Sequence, residues 1–427
     1  MDMRKYFYQL IAKYIRFYVR PEDTMALVSN SSDLLPVMFP ESLKWDGSLP
    51  NNEDPVDYVV ISGCIHYERD IQMFLQQLHH HCIPTTRVII TFYSALWRPL
   101  LNLATKLGLR VKTQEENWLA PEDVENLVRL SGYDSVKTDS RVLCPIYIPL
   151  ISDFLNRFIA PLPLFKGLAM LNILVARPVM VPGALPVPLS VSVIVPARNE
   201  EGNIDNAVQR LPAMGPDDEL IFVEGNSTDN TWEKIQEVQR QYGSTRNIII
   251  AQQSGKGKGD AVRKGFSLAT KDIFMILDAD LTVPPEDLPK FYNAIVGGQG
   301  EFINGSRLVY PMEGQAMRFL NMVGNKFFAV AFSFVLGQRF RDTLCGTKVL
   351  SRTHYEKLAK HRKYFGEFDP FGDFDLLFGG ARMGLKIVEV PIGYRDRVYG
   401  ATNISRWRHG LILLKMLIFA ATRIRFI

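Results

Sequence analysis

Hydrophobic residues along the chain fall into short unbroken runs, separated by stretches in which apolar positions recur three and four apart. In the first part, the runs MALVS (25 to 29), DYVVIS (57 to 62) and RVIITFY (87 to 93) predict buried strands. ERDIQMFLQQLHHHC and APEDVENLVRL carry the helical spacing, and the alternation predicts a small α/β layer with a largely parallel sheet. The pattern begins again with VSVIVPA (191 to 197), ELIFVEG (219 to 225), RNIIIAQ (246 to 252) and DIFMILDAD (272 to 280). Between the two regions, VMVPGALPVPLS places three prolines and a glycine in residues 179 to 190 and predicts a linker. The expected organisation is an α/β domain over 1–178, a linker over 179–190 and a second α/β domain over 191–427.

Composition adds limits to this picture. At 427 residues the chain exceeds the size at which one core keeps growing, which agrees with two domains. Its hydrophobic fraction of 47% is that of a globular protein, and a net charge of +4 gives no case for nucleic acid as a partner. Cys64, Cys82, Cys144 and Cys345 lie far apart without CxxC spacing, so no disulfide framework is expected and a cytosolic setting is the default. The opening MDMRKYFYQLIAKYIRFYVRP interleaves basic and aromatic residues without a clean apolar core, and predicts an amphipathic surface helix rather than a secretory signal.

Two stretches approach membrane character. Residues 319 to 336 are rich in Phe, Val and Ala but are interrupted by Asn321, Asn325 and Lys326; residues 409 to 427 carry Lys415, Arg423 and Arg425. Neither reaches the roughly 18 to 20 clean apolar residues of a spanning helix, and both suit helices lying in a bilayer interface. For the first, a core helix is the equal alternative. For the second, basic residues from Arg406 onward without a following acid favour anionic headgroups.

The candidate chemistry clusters where the second set of strands ends. Asp278-Ala279-Asp280 closes a hydrophobic run, and residues two apart on an extended strand share a side, so both carboxylates are expected to face one ligand. Hard oxygen ligands suit Mg2+ or Mn2+ beside phosphates, although a DxD by itself is as easily the cap of the helix that VPPEDL begins. Pro196-Ala197-Arg198-Asn199-Glu200 follows the first strand, and Glu224-Gly225-Asn226-Ser227-Thr228-Asp229 follows the second. Gly255 to Asp260, GKGKGD, opens a helix whose N-terminus and lysines favour an anion. The run His79-His80-His81-Cys82 is not a metal site on spacing, because consecutive helical residues point in different directions.

Taken together, PARNE, EGNSTD, GKGKGD and DAD resemble the family 2 glycosyltransferases of the GT-A fold, and the likeness continues through residues 189 to 427. DTLCGTK (342 to 348), FGDFDLL (371 to 377) and EVPIGYRDRVYGATN resemble segments of the subgroup with dolichyl-phosphate mannose and glucose synthases. VEGNS stands where that family commonly has VDDGS, and Thr402-Asn403 where it has Ser-Lys. The resemblance implies a nucleotide-sugar donor, GDP- or UDP-hexose, held by Pro196, Arg198, Glu200, Glu224, Lys258, Asp278 and Ala279. It implies Mg2+ or Mn2+ on Asp278 and Asp280, with Asp280 as the direct ligand. Arg395 and Arg397 would brace a phosphate of the acceptor, and Asp373, Asp375 and Asp342 are candidate bases. The first half resembles part of a class I methyltransferase, truncated and Rossmann-like, but its turn Ser29-Asn30-Ser31-Ser32-Asp33 lacks glycine, so it is not expected to bind S-adenosylmethionine.

The expected activity is inverting transfer of a hexose to a polyprenyl-phosphate acceptor at the cytoplasmic face of a membrane. A saccharide hydroxyl during cell-surface polymer synthesis is the alternative acceptor, and a non-catalytic scaffold the alternative to an enzyme.

Overall fold

A computed structural model describes residues 3–30, 33–45, 56–108, 117–179, 187–309, 319–362, 374–395, 397, 399 and 406–427. The chain divides into two compact units, Met1–Ala184 with Thr422–Ile427, and Leu185–Ala421. The last six residues, grouped by sequence with the second domain, therefore belong to the first unit.

The first unit is built on β1 (Met25–Ser29), β2 (Leu43–Trp45), β3 (Tyr58–Ser62), β4 (Arg87–Tyr93), β5 (Tyr133–Arg141) and β6 (Leu171–Pro178), in the order β2-β1-β3-β4-β6-β5. The first four run parallel and β6 runs antiparallel to both β4 and β5, so the largely parallel expectation holds except at β6. Helices α1 (Met3–Tyr18), α2 (Leu35–Met38), α3 (Ile71–His79), α4 (Arg98–Lys106), α5 (Pro121–Leu130) and α6 (Ile151–Phe154) complete it. β3 and β6 are buried along their whole length, which is why they carry the apolar runs YVVI and ILVA, while Asn172 and Arg177 of β6 are buried against Ser140 and Asp134.

Helix α1 is amphipathic as expected, with Arg4, Lys5, Gln9, Lys13 and Arg16 exposed, while Tyr6, Leu10, Ile11, Tyr14, Ile15 and Tyr18 are buried on its other face. Its aromatic rings cover charges on β5, with the Arg141 guanidinium 5.3 Å from the Tyr14 ring and the Lys137 ammonium 4.7 Å from the Tyr18 ring. Arg425, expected at lipid headgroups, is instead buried, with Nη1 2.6 Å from Asp139 Oδ1 and Nη2 donating to Pro161 O at 2.6 Å. Arg141 takes the other oxygen of Asp139 at 2.8 Å and donates to Arg425 O at 2.7 Å. Burial opposes ionisation of Asp139, but the two guanidiniums outweigh it and hold the carboxyl well below the usual range.

The second unit has a seven-stranded sheet in the order β13-β11-β12-β10-β7-β8-β9. Its strands are β7 (Val191–Ala197), β8 (Asp218–Glu224), β9 (Asn247–Gln252), β10 (Ile273–Ile276), β11 (Phe302–Ser306), β12 (Lys348–Ser351) and β13 (Ile387–Pro391). β10, β7, β8 and β9 are parallel neighbours, while β12 lies antiparallel between β10 and β11. The helices are α7 (Ile204–Gln209), α8 (Thr231–Tyr242), α9 (Lys258–Leu268), α10 (Leu288–Val296), α11 (Phe319–Leu336), α12 (Arg352–Lys360), α13 (Phe374–Arg382) and α14 (Arg406–Ala420). Val193, Phe222, Ile235, Met275 and Phe291 lie in one core formed between sheet and helices. α11 packs against α14, and each also presents an open apolar face: Val323, Phe327 and Val330 on the former, Leu411, Leu414 and Ile418 on the latter.

Candidate active site

The parallel strands β7, β8 and β10 run in one direction, so Ala197, Glu224 and Ile276 end at one edge, where an open α/β sheet places its ligand crevice. The loops after β7 and β8 are tied together. Asn199 adopts a left-handed φ of 56°, its Oδ1 accepts from Thr228 N at 2.8 Å, and its own N donates to Ser227 Oγ at 3.0 Å. Glu200 N donates to Thr231 Oγ1 at 2.9 Å, and Asp229 accepts from both Thr231 N and Thr231 Oγ1. Glu224 Oε1 accepts from Ser227 N at 2.5 Å and Oε2 from Gln252 Nε2 at 3.3 Å, so this glutamate shapes the acidic turn as well as facing it.

β10 ends at Ile276, before the DAD, and Leu281 takes a φ of 51°. The expectation that Asp278 and Asp280 share one strand face is therefore replaced by a turn that gives the two carboxylates different partners. Asp278 Oδ1 lies 2.5 Å from Lys258 Nζ at the start of α9. Asp280 Oδ1 accepts from Thr282 N and Oγ1, and its Oδ2 lies 2.6 Å from Arg397 Nη2. The same guanidinium reaches Glu200 Oε1 at 3.3 Å, while Glu200 Oε2 accepts from Asn203 Nδ2 at 2.7 Å. Burial pushes the Glu200 carboxyl up to about 7, against the Asn203 hydrogen bond and Arg397, and the charges of Asp280 and Asp229 add to the rise.

Gly346 closes this group from the DTLCGTK segment. A Cβ there would stand 1.9 Å from Asp278 Oδ2 and 2.5 Å from Lys258 Nζ. Only glycine lets that backbone lie against the Lys258–Asp278 pair.

The remaining sequence candidates separate. Pro196 lies in β7, Ala279 is buried between the two aspartates, and Arg198 is exposed. Arg395 is exposed and its charge acts on Glu286, so only Arg397 of the two arginines joins the carboxylates. Asp342 is not available as a base. It is fully buried and accepts from Arg307 Nε at 2.7 Å, Arg307 Nη2 at 2.9 Å, Asn325 Nδ2 at 3.1 Å and Leu344 N at 3.0 Å. Asp375 begins α13 and pairs with Arg362 Nε at 3.1 Å, lining a pocket with Gly259, Arg263 and Tyr355. Asp373 and the Thr402-Asn403 ending lie outside the described residues.

Sequence reasoning missed Gly346, Thr231, Asn203 and Tyr399, whose hydroxyl reaches Asp229 Oδ2 at 3.5 Å. The glycine of CGTK and the threonine after STDN were visible as residues, but their contacts join distant segments.

Among the described residues no three His, Cys, Asp or Glu side chains gather as a metal cage. The donor set that is present, two carboxylates in a turn beside a lysine and an arginine, fits a hard cation completing its shell with phosphate oxygens and water.

Residues 192–359 match the Glycosyl transferase family 2 model. A dolichol-phosphate mannosyltransferase of Pyrococcus furiosus is 39% identical over 223 residues, which are 51% of this chain and 60% of that protein. A dolichyl-phosphate hexose transferase of Haloferax volcanii is 28% identical over 200 residues, 47% of this chain and 79% of that protein. The chain thus spans about 60% of the length of the Pyrococcus relative. Among solved structures, the glucosyl-3-phosphoglycerate synthase of Mycobacterium tuberculosis with Mn2+ and UDP is 20% identical, with a TM-score of 0.40 over 56% of this chain and 80% of that one.

Proposed function

Since the second unit carries a family 2 glycosyltransferase domain, we propose that the protein is an inverting hexosyltransferase acting on a polyprenyl phosphate at a membrane surface. Its donor in this reading is GDP- or UDP-hexose. The observation that carries it is the meeting of Asp278, Asp280, Lys258, Arg397 and Glu200 at the carboxyl edge of the parallel strands. In this reading Glu200 and Glu224 accept from the nucleoside, and the α9 N-terminus with Lys258 takes a phosphate. Mg2+ or Mn2+, held by Asp278 and Asp280, would supply positive charge to the departing diphosphate.

Of the candidate bases among the described residues, Asp342 is saturated by Arg307 and Asn325, and Asp375 is engaged by Arg362. A lipid phosphate is already ionised near neutral pH and needs no strong base, whereas a sugar hydroxyl does, so the phosphate acceptor fits this chain better. No described helix is long and apolar enough to cross a membrane. The open faces of α11 and α14, the latter with Lys415 exposed, support an interfacial position in the second unit. In this reading the first unit is a truncated methyltransferase-type domain without bound S-adenosylmethionine; its mainly parallel sheet supports the resemblance.

The test is a panel of GDP- and UDP-hexoses with polyprenyl phosphate or an oligosaccharide as acceptor, with and without EDTA. The expected result is transfer to the lipid phosphate from one donor class, abolished by EDTA and restored by Mg2+ or Mn2+. Asp280→Asn should lower turnover by about a hundredfold or more, while Asp229→Asn, off the DAD, should stay within a few-fold. Transfer to the oligosaccharide alone, or full activity in EDTA, overturns the reading.

A further inference from the structure

Helix α4 leaves most of its surface open. Leu100 and Leu103 within it, Leu96 just before it and Leu107 just after it recur at helical spacing, and all four are more than half exposed, while Leu101 is the helix's buried residue. A helix that packs a core puts such a stripe inward; one that lies in a lipid interface puts it outward.

The neighbouring segment continues the surface. Trp97 Nε1 donates to Leu168 O at 2.8 Å, joining the start of α4 to residues 166 to 168. Upstream, two proline-rich bends carry leucines at their tips, Leu150 at 86% and Leu164 at 85% exposure. Leu150 holds a φ of 64°, a conformation that a leucine rarely adopts, and it does so with its side chain in solvent. Phe154 and Phe158 are also exposed, their rings tilted against each other with centroids 5.9 Å apart, and Phe158 meets Phe426 at 5.8 Å.

Charge identifies the occupant. Across residues 94 to 108 and 143 to 171 the only acid is Asp153, whereas Arg98, Lys106, Arg157 and Lys166 are all exposed. Leucine tips, aromatic rings and basic side chains with long apolar stems are the composition of a surface that enters the headgroup layer. We propose that α4 and residues 145 to 168 form a bilayer-docking surface of the first unit, selective for anionic lipid. The docking belongs to the first unit's own residues and does not depend on the chemistry of the second.

The experiment floats the full chain with phosphatidylcholine vesicles, with and without phosphatidylglycerol, and compares Leu150→Asp/Leu164→Asp with Leu100→Gln/Leu103→Gln. The exposed positions keep folding cost small; resistance of the first unit to limited proteolysis checks that each variant is folded, and a melting shift with GDP- or UDP-hexose reports separately on the second unit. Each pair should weaken vesicle partition by about tenfold or more, and phosphatidylglycerol should strengthen that of the parent chain. Unchanged partition in both pairs overturns the proposal. So does partition equal on both vesicle types, or a surface that proves to join two copies, seen as a parent dimer that the variants convert to monomer with flotation retained. If the parent floats but shows no donor shift, the glycosyltransferase reading fails and the docking surface stands.

Discussion

Arg397 Nη2 lies 2.6 Å from Asp280 Oδ2, and the same guanidinium reaches Glu200. The arginine therefore satisfies the carboxylate proposed to hold the cation. A divalent ion held by Asp280 would compete with Arg397 for the carboxylate, and the guanidinium would then be open to a phosphate oxygen, a partner its planar fork suits. Arg397→Ala is expected to tighten Mn2+ binding without donor by about tenfold, because the competing cation is gone, while turnover falls by about a hundredfold. Calorimetric titration with Mn2+ alone measures the first effect and steady-state kinetics the second. Weaker Mn2+ binding in the variant would remove the competition argument.

Gly346 gives a second handle on the same group. The atoms that an added methyl would strike, Asp278 Oδ2 at 1.9 Å and Lys258 Nζ at 2.5 Å, are the ends of side chains that can swing away. Gly346→Ala should therefore fold with nearly unchanged stability yet misplace the Lys258–Asp278 pair, costing about a hundredfold in turnover. A variant with normal kcat/KM would show that the pair has no part in donor binding.

Asp342 separates structure from chemistry. With Arg307 buried beside it and donating twice, Asp342→Asn leaves a buried guanidinium without its countercharge and should destabilise the second unit by about 3 to 5 kcal/mol. Urea unfolding measures this. Full stability with a lost acidic limb in the pH–rate profile would instead restore Asp342 as a base.

Much of this was legible from pattern. Strands at 25 to 29, 87 to 93 and 191 to 197 match the sequence runs, because each is a buried strand whose side chains must be apolar. β5 was not legible: YDSVKTDSR reads as polar, and it is a strand because Asp139 and Arg141 find buried partners, Arg425 among them, 286 positions from Asp139. The site divides in the same way. Glu200, Asp278 and Asp280 stand at strand ends, where the sequence locates them. That Arg397, 117 positions from Asp280, lies against it depends on the folded path of a loop that carries no periodic signal.

The same tail contact makes a prediction. Removing Thr422–Ile427 takes Arg425 from Asp139 and leaves the Arg141 donor without its carbonyl. The first unit is expected to lose about 3 kcal/mol and to become sensitive to proteolysis, while the donor-induced melting shift of the second unit persists. Loss of membrane binding on truncating this tail is therefore evidence about lipid only if the first unit remains folded.

Glu200 couples the site to pH in a defined direction. Its folded carboxyl is pushed up to about 7 from an ordinary 4.5, chiefly by burial. Between those values the folded state holds the proton that the unfolded chain has released. The stabilisation is thus complete below pH 4.5 and is lost as pH rises through about 7. After allowance for water at the site, the effect is about 1 to 2 kcal/mol between pH 5 and pH 8. Glu200→Gln, neutral throughout and still able to accept from Asn203, should remove that part of the pH dependence and leave the second unit more stable than its parent at pH 8. Urea titrations of both proteins at the two pH values decide it. Parallel pH profiles would mean that Glu200 is ionised across the range, and that Arg397 holds it so.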